Sequence, residues 1–360
     1  MFCTLYPQGK QDDLFRDPGQ IPYTLAKNYP DVQAELVICA DVEDSALDSV
    51  ERFRTIRIGK RIHNGTLAGL SYLVRNARKT DWLNLYHCRK QSLLLARFYK
   101  LLNKHGKVYV KLDAGFQTIH KLEEDTDYLK VFRKLEKAAD MISAESQIAI
   151  ERIGKISKKA IHYVPNGVYL KPADETEERE NVFLTVARIG SPEKKDDLLM
   201  EAFAKIADQC DWKLILVGNI NPDFRLFIEE YFKKNTNLKN RVLFTGPVYD
   251  RKELAKVYSK AKVFVLPSQY ESFGLACVEA LQNGCYVILS DQVTPYREFT
   301  NDFRYGTIVE VNNVEALAEK MLVTTQNPYT EESYGQIANY ANRTFSWEAI
   351  CEKVYDDLNN

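Results

Sequence analysis

The chain has 360 residues, which suggests two domains of ordinary size, and its 45% hydrophobic and 11% aromatic content is that of a globular protein with sizeable cores. No stretch approaches the roughly 18 to 20 apolar residues that a membrane span needs, and Met1-Phe-Cys-Thr-Leu-Tyr lacks the basic and apolar regions of a signal peptide. The seven cysteines are odd in number and scattered, without a C-x-x-C, which argues for reduced thiols in a cytoplasmic protein and against a zinc site.

In chain order, Met1–Tyr6, Glu35–Ala40, Arg54–Ile58, Trp82–Tyr86, Lys107–Lys111, Met141–Ser143 and Ala160–Val164 read as strands. Gln20–Asn28, Leu67–Arg78, Lys90–Asn103, Leu129–Lys137 and Gln147–Ile153 read as the helices between them. Strands alternating with helices imply a parallel sheet with helices on both faces. The turn residues of Pro165-Asn-Gly-Val-Tyr-Leu-Lys-Pro172 and the charged segment Ala173–Glu180 then mark a domain boundary. A second series follows, with strands Val182–Val186, Lys213–Val217, Val242–Thr245, Val263–Leu266, Tyr286–Ser290 and Gly306–Val309, and with helices that include Leu198–Ala207 and Val314–Leu322. Thr330–Asn342 and Phe345–Tyr355 read as helical, the last with Ser346 as its N-cap. The divisions are 1–165, 166–345 and a terminal helix, 346–360.

The most informative stretch is Glu271-Ser-Phe-Gly-Leu-Ala-Cys-Val-Glu279. Glu271 lies on the loop after the buried strand ending at Leu266, and Glu279 lies on the helix that follows. In an open parallel sheet, the crevice outside the strand carboxyl ends is where ligands bind. Amides at the helix start, freed by Gly274, suit an anion, and the two carboxylates suit hydroxyls of the same ligand. A ligand with phosphates between polyols is a nucleotide-sugar. The plainer reading is two helix-end glutamates, Glu271 favouring the helix dipole. Upstream, the strand ending at Ala187 leads into a loop carrying Arg188 and Lys194. A guanidinium fork and a point charge there would meet phosphate oxygens and the charge that grows on a leaving diphosphate. A solvated basic loop is the plainer alternative.

The full string Pro267-Ser-Gln-Tyr-Glu-Ser-Phe-Gly-Leu-Ala-Cys-Val-Glu-Ala-Leu, with Arg188 and Lys194, resembles the signature of retaining glycosyltransferases of family 4 (glycosyl transferases group 1). The resemblance is strong over residues 181–300 and loose over 1–165. It implies the GT-B fold, an α/β architecture of two Rossmann-like parallel-sheet domains facing a central cleft: an acceptor domain, a nucleotide-sugar donor domain, and a last helix that crosses back. It implies that Glu279 holds the nucleotide ribose, that Glu271 binds donor-sugar hydroxyls, and that amides of Phe273, Gly274 and Leu275 touch sugar or phosphate. Val248, after Phe244-Thr-Gly-Pro, falls beside the base. Counting back from Leu198 places the family lysine on Lys194, with Lys195 adjacent. The co-substrate is a UDP- or GDP-sugar, with no cofactor and no metal. The acceptor is a saccharide, plausible as a lipid-linked glycan in bacterial surface polysaccharide synthesis.

On the first-domain side, Gly19 in Asp17-Pro-Gly-Gln-Ile-Pro-Tyr23 would let backbone approach the donor phosphate, or serve only its turn. His87 and Asp113 each end a strand. Relatives place a histidine on one of these loops; here Lys111-Leu-Asp-Ala-Gly-Phe116 has Asp113, which would orient or deprotonate the acceptor hydroxyl or simply cap a turn.

Charge is divided between the halves. Residues 1–170 hold 27 Lys and Arg against 20 Asp and Glu, and residues 171–360 hold 22 against 30. Residues 51–111 hold 15 cations and only Glu51 and Asp81, which suggests an anionic partner. Within that block Leu67, Leu70, Leu73 and Val74 read as one helical face with cations at its end. This suits peripheral contact with the inner leaflet of a plasma membrane, or a core-facing helix with a solvated rim. Nucleic acid is disfavoured for want of a motif, and an NAD-dependent dehydrogenase for want of G-x-G-x-x-G. The rival readings are a GT-B nucleotide-sugar epimerase and a non-catalytic subunit that only binds nucleotide.

Overall fold

A computed structural model describes residues 1–41, 47–59, 64–168, 178–326 and 330–359. The boundary segment read at 165–180 lies partly outside these residues. The chain divides into two units: Met1–Tyr169 with Phe345–Asn360, and Leu170–Thr344.

The first unit runs β1 (Phe2–Leu5), α1 (Asp17–Asn28), β2 (Ala34–Ile38), β3 (Phe53–Arg57), α2 (Gly65–Asn76), β4 (Trp82–Tyr86), α3 (Lys90–Leu102), β5 (Lys107–Lys111), α4 (Phe116–Glu124), α5 (Thr126–Ala138), β6 (Met141–Ala144), α6 (Gln147–Gly154) and β7 (His162–Tyr163). Its sheet is parallel throughout, in the order β3-β2-β1-β4-β5-β6-β7. Strands buried on both faces need near-continuous apolar residues, which Val108, Tyr109 and Val110 of β5 supply at 0% exposure.

The second unit runs β8 (Glu180–Val186), α7 (Asp196–Ile206), β9 (Lys213–Val217), α8 (Phe224–Lys234), β10 (Val242–Gly246), α9 (Arg251–Lys260), β11 (Ala261–Leu266), α10 (Leu275–Gln282), β12 (Tyr286–Ser290), α11 (Tyr296–Thr300), β13 (Gly306–Val309), α12 (Val314–Gln326) and α13 (Glu331–Phe345). Its parallel sheet has the order β10-β9-β8-β11-β12-β13. In both sheets the first strand lies beside the fourth, so the connections run outward on either side of that pair. This is the switch point at which such sheets bind ligands.

The last helix, α14 (Trp347–Asn359), belongs to the first unit. Ser346 caps it, its Oγ accepting from Ala349 N at 3.3 Å. Trp347, Ile350, Cys351 and Val354 are buried with Ile21 and Leu25 of α1, and Tyr29 stacks on Tyr355 with ring centroids 3.7 Å apart.

Two expectations are corrected. Pro18-Gly19 reads as turn before a helix starting at Gln20, but α1 starts at Asp17, because proline in a first turn forfeits no intrahelical hydrogen bond. Leu67, Leu70, Leu73 and Val74 are not one core-facing stripe: Leu73 is fully buried, while Leu67 and Val74 are 56% and 65% exposed.

Candidate functional site

The second unit gathers its chemistry where β8, β11 and β12 end. Glu271 is fixed by its backbone: its N–H donates to Gln292 O at 3.1 Å, and its carbonyl accepts from Thr294 Oγ1 at 2.8 Å. The loop from β8 is tied to the same place by Gln269 N donating to Glu193 O at 2.7 Å. That stitching aims the Glu271 carboxylate at Lys194, whose Nζ forms an ion pair with it, and Ser268 Oγ donates to the same oxygen at 3.2 Å. The pair therefore bridges the loops of β8 and β11, across the switch point. Its side chains are 19% and 14% exposed, so a ligand can reach both. Arg188 pairs with Glu193 of its own loop and is 75% exposed.

Gly274 caps α10 at φ 94, left-handed backbone that glycine adopts without strain, and no side chain caps the helix. First-turn amides of a helix have no intrahelical acceptor, so those of Leu275 and Ala276 open beside Glu271. Phe273 turns inward, 3% exposed, edge-on to Phe299 with centroids 5.2 Å apart. One turn along α10, Glu279 accepts from Tyr258 Oη at 2.9 Å. Burial, partly offset by Tyr258, pushes the Glu279 carboxyl above its ordinary value. Val248 lies two residues beyond β10, half-buried, because β10 runs through Gly246 and takes up most of the segment read as loop.

The start of α7 is also built with care. Lys195, its N-cap, is left-handed at φ 58. Asp196 is 1% exposed and accepts from Gly190 N at 2.7 Å through Oδ2, while Oδ1 has no hydrogen-bond partner. Burial pushes its carboxyl up to about 7.

In the first unit, His87 and Asp113 come together at the ends of β4 and β5. His87 Nδ1 lies 3.7 Å from Asp113 Oδ2, and Nε2 lies 3.2 Å from Tyr6 Oη at the end of β1. Both residues are left-handed, at φ 63 and 48. Burial, with Arg89 nearby, lowers the His87 pKa to about 4, so the ring is neutral at pH 7. Below them sits a buried ion pair. Lys111 Nζ donates to Glu145 Oε1 at 2.7 Å with both side chains 0–1% exposed, and Glu145 also accepts from Asp113 N at 2.9 Å and Ala114 N at 2.8 Å. Asp17 Oδ2 lies 3.8 Å from the same ammonium, and burial pushes the Asp17 carboxyl up to about 7. Gly19 lies in the first turn of α1: its N–H donates to Arg16 O at 3.1 Å, and a Cβ on it would lie 2.4 Å from Leu14 O, so packing alone requires a glycine here.

Sequence reasoning passed over Tyr6, Asp17, Lys111, Glu145, Tyr258, Asp196 and Ser268. Lys111 carried a signal: a lysine ending a buried strand needs a partner, and Glu145 follows directly on the neighbouring strand.

Residues 170–344 match the family model described as Glycosyl transferases group 1. The mannosylfructose-phosphate synthase of Agrobacterium fabrum is 26% identical over 249 residues, 63% of this chain and 53% of that protein. The chain spans about half the length of the first curated relatives it matches. The sucrose-phosphate synthase structure from Thermosynechococcus elongatus superposes with a TM-score of 0.73 at 20% identity, covering 99% of this chain and 98% of that one. The structure of Anabaena HepE in complex with UDP and glucose superposes with a TM-score of 0.68 at 18% identity, covering 100% and 99%.

Proposed function

We propose that the chain is a glycosyltransferase that moves a sugar from a nucleotide-sugar to a saccharide hydroxyl: residues 170–344 match the glycosyl transferases group 1 model, and the two parallel α/β sheets are those of the GT-B fold. The observation that carries the reading is the Lys194 ion pair with Glu271 across the switch point, beside the open first turn of α10. A donor diphosphate would replace Glu271 as the partner of Lys194, with the amides of Gly274 and Leu275 adding to the anion site. Glu271, released, would accept from sugar hydroxyls, and Glu279 from the ribose. Arg188, held only by an exposed pair, would turn from Glu193 to the phosphates. UDP, present in the HepE structure, is the first nucleotide to test and GDP the second.

We propose retention of configuration. The bond from the sugar C1 to the diphosphate oxygen breaks, the acceptor oxygen bonds C1 from the same face, and the acceptor proton passes to the departing phosphate. Lys194 and Arg188 would stabilise the charge that grows on that phosphate. Asp113 would orient the acceptor hydroxyl, with neutral His87 as a hydrogen-bonding neighbour that adds no charge.

A lipid-linked acceptor is part of the same proposal. Among the described residues no helix is long and apolar enough to cross a membrane. The packed helices α2 and α3 expose Leu67, Val74, Leu94 and Leu101, the last at 72%, among Arg75, Arg78, Arg97 and Lys104. Apolar tips ringed by cations suit an anionic leaflet, the tips entering the headgroup layer and the cations staying in it.

Calorimetric titration with UDP and GDP, repeated on Glu279→Ala, tests the donor site. The expected result is saturable binding of one nucleotide, weakened about tenfold or more by loss of the ribose contact. A folded protein that binds neither nucleotide overturns the reading.

A further inference from the structure

Helix α13 buries Tyr334, Ile337, Ala341 and Phe345, so Gln336, Asn339 and Arg343, at spacings of three and four, line an outward stripe. Facing that stripe, the chain leaving α11 takes three consecutive left-handed residues: Asn301, Asp302 and Phe303 at φ 47, 50 and 69. Such backbone is strained for residues other than glycine, and strain of this kind persists only where the surroundings fix it. Here Asp302 N donates to Arg297 O at 3.0 Å, Phe303 N to Thr300 Oγ1 at 3.1 Å, and Tyr305 N to Thr300 O at 2.8 Å. The turn carries Asn301, Arg304 and Tyr305 up to the stripe. With Tyr340 they line an open cavity of about 410 Å³, within the range of small-molecule sites, roughly 300–1,000 Å³.

The lining has one chemistry. Arg304 and Arg343 supply two guanidinium forks, and among the described residues no carboxylate side chain lines the cavity. Asn301, Gln336 and Asn339 supply amides that both donate and accept. Tyr305 and Tyr340 stand with ring centroids 5.4 Å apart, and the Tyr340 hydroxyl is already engaged with Glu298 O at 2.6 Å, which leaves its ring as wall. The Arg304 guanidinium sits 5.4 Å from the Tyr305 ring centroid. Glu298 and Asp302 stand close enough to Tyr340 to help raise its pKa. Forked cations match phosphate or carboxylate oxygens, amides match hydroxyls, and tyrosine rings match the C–H face of a pyranose. We propose that this cavity binds a monosaccharide carrying a phosphate or a carboxylate. It is separate from the donor site: Tyr305 leads into the amino end of β13, whereas Lys194 and Glu271 lie beyond the carboxyl ends of β8 and β11, at the opposite edge of a parallel sheet. The proposal therefore stands or falls independently of the donor reading.

The test is calorimetric titration of the whole chain with glucose 6-phosphate, glucuronate, glucose and inorganic phosphate. Saturable binding of one of the two anionic sugars, tighter than of glucose or phosphate alone, is the expected result. Arg304→Ala and Arg343→Ala should each weaken it about ten- to a hundredfold, the loss expected for a charge-assisted hydrogen bond. Both side chains are exposed, so thermal melting should be unchanged, and Arg304→Lys should restore part of the affinity. Lys194→Ala should leave the binding intact. The proposal is overturned if neither anionic sugar binds, if phosphate alone binds as tightly, if both arginine variants bind normally, or if Lys194→Ala abolishes binding.

Discussion

Each unit places a lysine against a glutamate at the carboxyl end of its sheet, yet the two pairs are different devices. In the second unit, Lys194 and Glu271 are 19% and 14% exposed and come from loops on either side of the switch point. In the first unit, Lys111 and Glu145 are 0% and 1% exposed, and the carboxylate is held by two backbone amides as well. A pair that water can reach exchanges partners at small cost, so a ligand can take one of them. A pair sealed from water cannot release either charge, because an uncompensated buried ion is far more costly than the pair. The first fits binding, and the second fixes the strained loop that carries Asp113.

The largest expected effect tests that contrast directly. Glu145→Ala would leave the Lys111 ammonium buried and two amides without their acceptor, at a cost of about 3–5 kcal/mol in urea unfolding. Lys111→Met combined with Glu145→Leu should recover much of that loss. Glu271→Ala, by contrast, should change stability by less than about 1 kcal/mol, as for pairs near the surface. Equal losses at the two positions would erase the distinction between them.

Next comes catalysis. Lys194→Ala should lower turnover of the donor identified by titration by about 10²–10³, the range for losing one electrostatic contact to a developing charge. Melting should barely change. A large fall in stability with little fall in rate would make Lys194 a structural residue like Lys111.

Linkage gives the two units a pH dependence of the same sign. The Asp196 carboxyl is pushed from 3.8 to about 7 by burial, so the unfolded chain gives up this proton first as pH rises. The contribution of Asp196 to stability is therefore full below about 4, falls as pH climbs from about 4 to about 7, and is level above that. Asp17 adds the same sign over the same window in the first unit. Asp196→Asn can still accept from Gly190 N, so it should remove the Asp196 share of the slope, measured as urea midpoint against pH. An unchanged slope would mean that the group titrates normally in the fold.

The exposed face of α2 and α3 lies in the basic half of the chain, residues 1–170, whereas residues 171–360 are acidic overall. Each cation near an anionic surface contributes about 1 kcal/mol. Arg75→Ser and Arg78→Ser should then each lower co-sedimentation with phosphatidylglycerol vesicles about fivefold at low salt, and the uncharged Leu101→Ser should lower it at any salt concentration. Equal binding to neutral phosphatidylcholine vesicles would sink the electrostatic account.

What the sequence disclosed follows from what each residue needs. The strands were legible because buried parallel strands are short apolar runs, such as Val263-Phe-Val-Leu266. The positions of Arg188, Lys194 and Glu271 at one edge of the second sheet were legible because each follows a strand end by a short loop, and that of Glu279 because it lies one turn into the helix that comes next. Helix α9 was missed because Arg251-Lys-Glu-Leu-Ala-Lys-Val-Tyr-Ser-Lys260 turns only a thin stripe, Ala255 and Tyr258, to the core, and Tyr258 was lost with it. The Lys111 pair with Glu145 was missed because it spans 34 residues and is set by strand pairing, which no local pattern encodes. The packing role of Gly19 was not legible because a glycine required by Leu14 looks, in one dimension, like a glycine required by a phosphate.

The smallest effect concerns strain, which both switch points share. His87 and Asp113 are left-handed in the first unit, and Lys195 is left-handed in the second. Lys195 is next to the lysine that pairs with Glu271, so its backbone sets where Lys194 points. Lys195→Gly removes the Cβ clash but gives the unfolded chain more freedom, and the balance should raise stability by about 0.5–1 kcal/mol. If the left-handed turn only joins β8 to α7, nucleotide affinity should not change. If the strained residue holds Lys194 on station, the freer glycine should weaken nucleotide binding while the protein becomes more stable. That opposition would mark the loop as tuned for the ligand rather than for the fold, as the exposure of its ion pair already implies.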